Sequence, residues 1–135
     1  MRRFPTGMLV TGVLSGLGKA AFERFGGLGL SRTNSARTLA AASKGADVII
    51  HCAASPPPKG EDAGVLGRFF EDNWLLTRDL LALPHRVFVF ISSIDVYPAD
   101  GRPHRESEPL SAEDPRTPYA MAKLACEALV RAKGR

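Results

Sequence analysis

Nine residues, Ala46 to Ala54 (ADVIIHCAA), run with almost no polar interruption and are rich in β-branched side chains. Such a run has no polar face to give to water, so it predicts a strand covered on both faces, as in a parallel sheet flanked by helices. The rest of the chain agrees. Short apolar runs at 8–12 (MLVTG), 28–31 (LGLS) and 86–93 (RVFVFISS) also read as strands, the last one buried, and stretches with helical spacing read as helices at 16–25, 35–45, 69–83 and 117–133. Strands alternating with helices predict a mostly parallel sheet in a doubly wound α/β domain. A loop (ASPPPKGEDAG) precedes the third of these helices, and a polar connection from Tyr97 to Arg116 precedes the last. That connection is longer than most loops and follows a central strand, which places it at the carboxyl edge of the sheet, where open α/β sheets bind ligands.

Several function classes fall away. The net charge is +4, but much of the excess lies near the termini, in Arg2, Arg3, Arg131, Lys133 and Arg135. No aromatic residues interleave with a basic stripe, which argues against nucleic-acid binding. Cys52 and Cys126 lie in apolar segments without paired spacing, and His51, His85 and His104 form no ligand pattern. Reduced thiols in a cytoplasmic protein and no metal site are expected. The basic, apolar start is interrupted by Gly7, Gly12, Gly16 and Gly18 and by Lys19, so neither export nor membrane spanning is expected.

TGVLSGLG, residues 11–18, follows the first strand and opens the first helix. In that context Gly12 permits a tight turn, Gly16 lets the backbone approach a pyrophosphate, and Gly18 lets the helix pack on the strand. The helix N-terminus then faces the negative charge.

With this turn, ADVIIHCAAS, FISSIDVY and PYAMAK all present in this order, the sequence resembles the short-chain dehydrogenase/reductase superfamily, and most of all its extended branch of NAD(P)-dependent epimerases, dehydratases and reductases. The resemblance implies a Rossmann-like dinucleotide-binding domain over 1–135. Thr11, Gly12, Ser15, Gly16, Leu17 and Gly18 fall on the cofactor turn, with Ser15 where extended members usually carry glycine. Ala53 and Ala54 fall beside the cofactor. By the same resemblance Ser93 is expected to hold the reacting oxygen, Tyr119 to donate the proton, Lys123 to tune it and also meet the cofactor, and Asn73 to support the lysine. Tyr119 and Lys123 share a helix face at i and i+4, and an ammonium group nearby would bring the phenol pKa down. Thr117 and Pro118 suit the start of that helix. Ser31 and Arg32 stand at the end of the second strand, where an NAD-selective member carries an acidic residue, so NADP is expected over NAD. Ile94 stands where the family's dehydratases carry an aspartate, which disfavours dehydration.

Against this resemblance, a third strand between Arg32 and Asp47 and a substrate domain after the Tyr/Lys helix are expected to be absent. A shortened, truncated domain is therefore expected. Its function is either oxidoreduction or epimerisation of a nucleotide-sugar or similar carbonyl or alcohol, or dinucleotide binding without turnover. A homodimer through the last helix and the helix of Asn73 is expected, because Ala120, Ala122, Ala125 and Ala128 allow close helix approach.

Overall fold

The computed structural model describes residues 7–31, 46–55, 59, 62–114 and 117–133. Its elements are β1 (Met8–Thr11), α1 (Gly16–Phe25), β2 (Leu28–Leu30), β3 (Val48–His51), α2 (Ala63–Ala82), β4 (Val87–Phe90), a short 3-10 turn (Ile94–Val96) and α3 (Pro118–Lys133). The predicted helix at 35–45 and the predicted contact residue Arg32 lie outside the described residues.

The chain divides into two compact units, one made of Met1–Ala54 and Arg78–Ile91, the other of Ser55–Thr77 and Ser92–Arg135. The first holds a four-stranded sheet in the order β2-β1-β3-β4 with every neighbouring pair parallel, the arrangement of a Rossmann-like α/β fold. Leu9 stands opposite Ile49, and both are completely buried, as are Val10 and Thr11. Each such apolar side chain contributes about 1.5–3 kcal/mol on burial. The strand order reverses between β1 and β3, so the carboxyl ends of these two strands flank a topological switch point.

β4 corrects the expectation of a buried strand: Val87 is 45% and Val89 39% exposed. Among the described strands it pairs with β3 alone, and its pattern alternates, so Val87 and Val89 share one exposed face while Phe88 and Phe90 take the other. β3 likewise alternates between half-buried and buried positions, with Ile49 and His51 inward, and is not uniformly covered.

The second unit holds most of α2, the 3-10 turn, the long connection and α3. α2 begins six residues before the predicted start because the Asp62 carboxylate accepts the N–H groups of Gly64 (2.9 Å) and Val65 (3.1 Å) and caps the helix. α3 begins as predicted: Thr117 Oγ1 accepts from Ala120 N–H at 3.1 Å, with Pro118 at the first helical position. Among the described residues, no helix is long and apolar enough to cross a membrane, and no cluster of His, Cys, Asp and Glu could hold a metal ion.

Candidate functional site

In the first unit, the turn between β1 and α1 is built on its glycines. Gly12 has φ +75° and Gly16 φ +55°, the left-handed region that costs an L side chain about 1–2 kcal/mol. A Cβ on Gly12 would lie 3.0 Å from Ala53 N, and one on Gly18 would lie 2.3 Å from the Gly12 carbonyl oxygen. These two glycines therefore let the backbone of the turn close against the segment after β3 and against the head of α1. Gly16 differs, since a Cβ there would meet nothing within 4 Å. It is exposed together with Ser15 and Leu17. Ser15 is the N-cap of α1 but makes no side-chain cap hydrogen bond, and the first turn contains no acidic residue. The helix end thus presents backbone N–H groups and the positive end of its dipole beside open space, the donor set a pyrophosphate needs.

Thr11 plays another part. It is buried and stands in register with His51, so the two side chains share a face. Its Oγ1 accepts from Cys52 N–H (3.1 Å) and Ala53 N–H (2.9 Å) and donates to His51 Nδ1 (2.8 Å). The hydroxyl is spent inside the protein and locks the end of β3 to the end of β1. Sequence reasoning placed Thr11 at the cofactor, yet it has no exposed surface for a ligand. Ala53 is half-buried, Ala54 exposed, and Ser31 half-buried. Ser31 follows Leu30, whose carbonyl accepts from Gly12 N–H at 3.1 Å, so it adjoins the glycine turn in the ladder.

In the second unit, Lys123 is 5% exposed and its Nζ lies 5.8 Å from the centre of the half-buried Tyr119 ring. The resemblance implied that this cation lowers the phenol pKa; burial and a nearby carboxylate act on the phenol in the other direction. Partial burial first, and then the negative charge of Asp95, push Tyr119 above its ordinary 10. Ser93 caps the 3-10 turn: its hydroxyl accepts from Asp95 N–H and donates to the Asp95 carboxylate, both at 3.2 Å. Asp95 thus bears on both Ser93 and Tyr119, a role that sequence spacing alone did not show. Ser92 Oγ donates to Glu127, whose other oxygen pairs with Arg131.

Asn73 is 9% exposed. Its Oδ1 accepts from Ser55 N–H at 3.0 Å, and its Nδ2 donates to the Phe69 carbonyl at 2.8 Å. Its own carbonyl accepts from Thr77 Oγ1 at 2.9 Å and lies 3.7 Å from Cys126 Sγ. The amide therefore pins the segment entering α2, and the same helical turn seats α3 through Cys126. Cys126 is buried and Cys52 half-buried, both free. Burial pushes the Cys126 thiol up, against the opposing effects of Thr77 and Lys123.

Residues 8–135 match the sequence profile of the NAD dependent epimerase/dehydratase family. The chain belongs to that family. Among solved structures it is similar to an NAD-bound short-chain dehydrogenase/reductase superfamily protein from Agrobacterium tumefaciens, with 30% identity and a TM-score of 0.69 over 95% of this chain and 45% of that one. It is also similar to the UDP-N-acetylglucosamine 4-epimerase of Bacillus cereus, with 23% identity and a TM-score of 0.68 over 95% of this chain and 56% of that one. The UDP-glucuronic acid 4-epimerase of the same organism, in complex with NAD, gives 21% identity and a TM-score of 0.68 over 95% and 51%. At these identities the two epimerases speak to the fold alone. The curated proteins include no significant match. This family member spans roughly half the length of these solved proteins, between 45 and 56%. The open, uncapped head of α1 at Gly16 fits the dinucleotide of an NAD-dependent family.

Proposed function

We propose that this chain carries the dinucleotide-binding part of an NAD(P)-dependent oxidoreductase or epimerase whose substrate is a nucleotide-sugar or a similar carbonyl or alcohol. The observation that carries the reading is the glycine turn at the switch point: Gly12 and Gly18 closed by backbone contact, Gly16 open. The N–H groups at the head of α1 take the pyrophosphate, and Ala53 and Ala54 leave room beside it. A bound nicotinamide supplies the hydride. Ser93 holds the reacting oxygen, and Tyr119, a phenol that is protonated at neutral pH, gives its proton to the oxygen as the carbonyl becomes an alcohol. Lys123 orients Tyr119 from over its ring.

Cofactor preference follows from the end of β2. Ser31 adjoins the turn, Arg32 follows it in sequence, and neither is acidic. A guanidinium pairing with a 2′-phosphate is worth about 1.5–3 kcal/mol, so NADPH is expected to bind about tenfold or more tighter than NADH. Titration calorimetry checks this, and equal affinities, or an unchanged preference in Arg32→Ala, would overturn it.

A binding role without turnover is the second reading, favoured by the raised pKa of Tyr119 and by the engagement of Ser93 with Asp95.

Self-association belongs to the same proposal, with a second copy of the chain as the occupant. α2 and α3 border an apolar groove of about 240 Å³ lined by Phe70, Glu71, Trp74, Leu75, Ala122 and Ala125, and beside it Trp74 is 39% and Met121 46% exposed. Sedimentation is expected to show a dimer at micromolar concentration that Trp74→Glu dissociates. A monomer, or a dimer indifferent to that change, would contradict it.

A further inference from the structure

In the long connection after Ser93, one side chain gathers several acceptors around it. The His104 side chain is only 10% exposed, and its ring stacks on Tyr97 with centroids 5.2 Å apart and planes 11° off parallel. Nδ1 lies 2.8 Å from Glu108 Oε2. Nε2 lies 3.0 Å from Asp100 Oδ1 and 3.1 Å from the Pro98 carbonyl oxygen. Every one of these partners is an acceptor. A neutral imidazole has one N–H and one lone pair, so it would turn that lone pair toward an oxygen on one side; only imidazolium donates on both.

The surroundings hold the carboxylates in place. Arg102 binds Asp100 through its backbone N–H at 3.0 Å and its Nε at 2.8 Å. These two bonds bring the Asp100 carboxyl down to about 2. Glu108 donates its N–H to the Arg105 carbonyl in a turn, and its carboxyl is lowered chiefly by the hydrogen bond to His104. The charged groups bearing on the ring are Glu108 and Asp100, and Arg102 in turn bears on both of these carboxylates.

We infer that His104 is a proton-dependent clasp that ties residues 98 to 108 closed in the connection between Ser93 and Tyr119 and releases them as pH rises. The sign follows from linkage. The folded-state pKa of His104 is raised from 6.5, first by the hydrogen bond to Glu108, so the clasp is fully formed below that value and lost as pH climbs through the folded pKa. The release therefore lies above pH 6.5, the ordinary value for histidine. The clasp stands on the loop's own geometry and holds whether or not the dinucleotide reading does.

Two measurements on the whole chain test it. Nitrogen-15 spectra of the histidine rings are expected to show His104 mostly doubly protonated at pH 6.5, its ordinary pKa, with a midpoint above that value that falls in Glu108→Gln. Trypsin cleavage after Arg105 is expected to be about tenfold slower in the wild type than in His104→Gln near pH 6, the ratio approaching one above the midpoint, because cleavage tracks the open population. A midpoint at or below 6.5, or a cleavage ratio independent of pH, would overturn the clasp. The ring titration needs no variant, so the test stands even if a substitution unfolds the loop.

Discussion

Gly18→Ala is expected to destabilise the chain by about 3–5 kcal/mol, at the upper end of what single substitutions do. The added methyl carbon would lie 2.3 Å from the Gly12 carbonyl oxygen, 2.7 Å from the Gly12 carbonyl carbon and 2.7 Å from the Thr11 carbonyl oxygen. All three are backbone atoms of the turn, so no rotamer change relieves the clash. Either α1 lifts from β1 or the turn moves, and Thr11 then loses its grip on His51, Cys52 and Ala53. A buried polar group left without its partner adds about 1–3 kcal/mol to the cost. Urea denaturation of wild type and variant checks this, and a loss below about 1 kcal/mol, the size of an ordinary substitution, would mean that the helix and strand are not packed at Gly18.

Tyr119→Phe is expected to leave dinucleotide affinity unchanged while turnover falls about a hundredfold or more, the usual size of a lost general acid. The ring and its packing survive, and only the hydroxyl goes. The direction of the pKa shift sharpens the expectation. Since burial and Asp95 keep the phenol protonated beyond its ordinary 10, reduction is expected to run at a constant rate through neutral pH and to decline only in strongly alkaline solution. Asp95→Asn removes the negative charge and is expected to move that decline to lower pH. Stopped-flow oxidation of the reduced cofactor across the pH range reads both effects. Equal turnover in Tyr119→Phe would take the proton away from this residue and leave the binding role.

What the sequence revealed depended on whether the signal was local. The start of α1 was legible to the residue, because a glycine turn leads straight from an apolar run into a helical pattern. Thr117 as the cap of α3 was legible for the same reason. The start of α2 was not: Gly64 closed the predicted loop, and the Asp62 cap that starts the helix there was not read from the sequence. The exposure of Val87 and Val89 was hidden because strand order in the sheet decides it, and order is not written in a strand's own residues.

The candidate site rests on residue types, and residue types do not carry its electrostatics. Spacing put Lys123 on the face of Tyr119, yet it could not tell that the cation sits over the ring while Asp95 bears on the phenol. Thr11 matched a motif, and the tertiary partner His51, forty residues away, turned it into a buried lock. His104 carried no motif at all, since its partners come together only when the loop folds back.

The most direct test of the account is calorimetric titration of NADPH into the wild-type chain and into Gly16→Ala. The substitution meets no atom within 4 Å, and its φ of +55° limits the cost to about 1–2 kcal/mol. It nevertheless puts a methyl group where the pyrophosphate must approach the head of α1. The account predicts saturable binding to the wild type and at least about a tenfold loss, roughly 1.4 kcal/mol, in a variant that remains folded. Equal affinity in the folded variant, or no binding to the wild type, would contradict it.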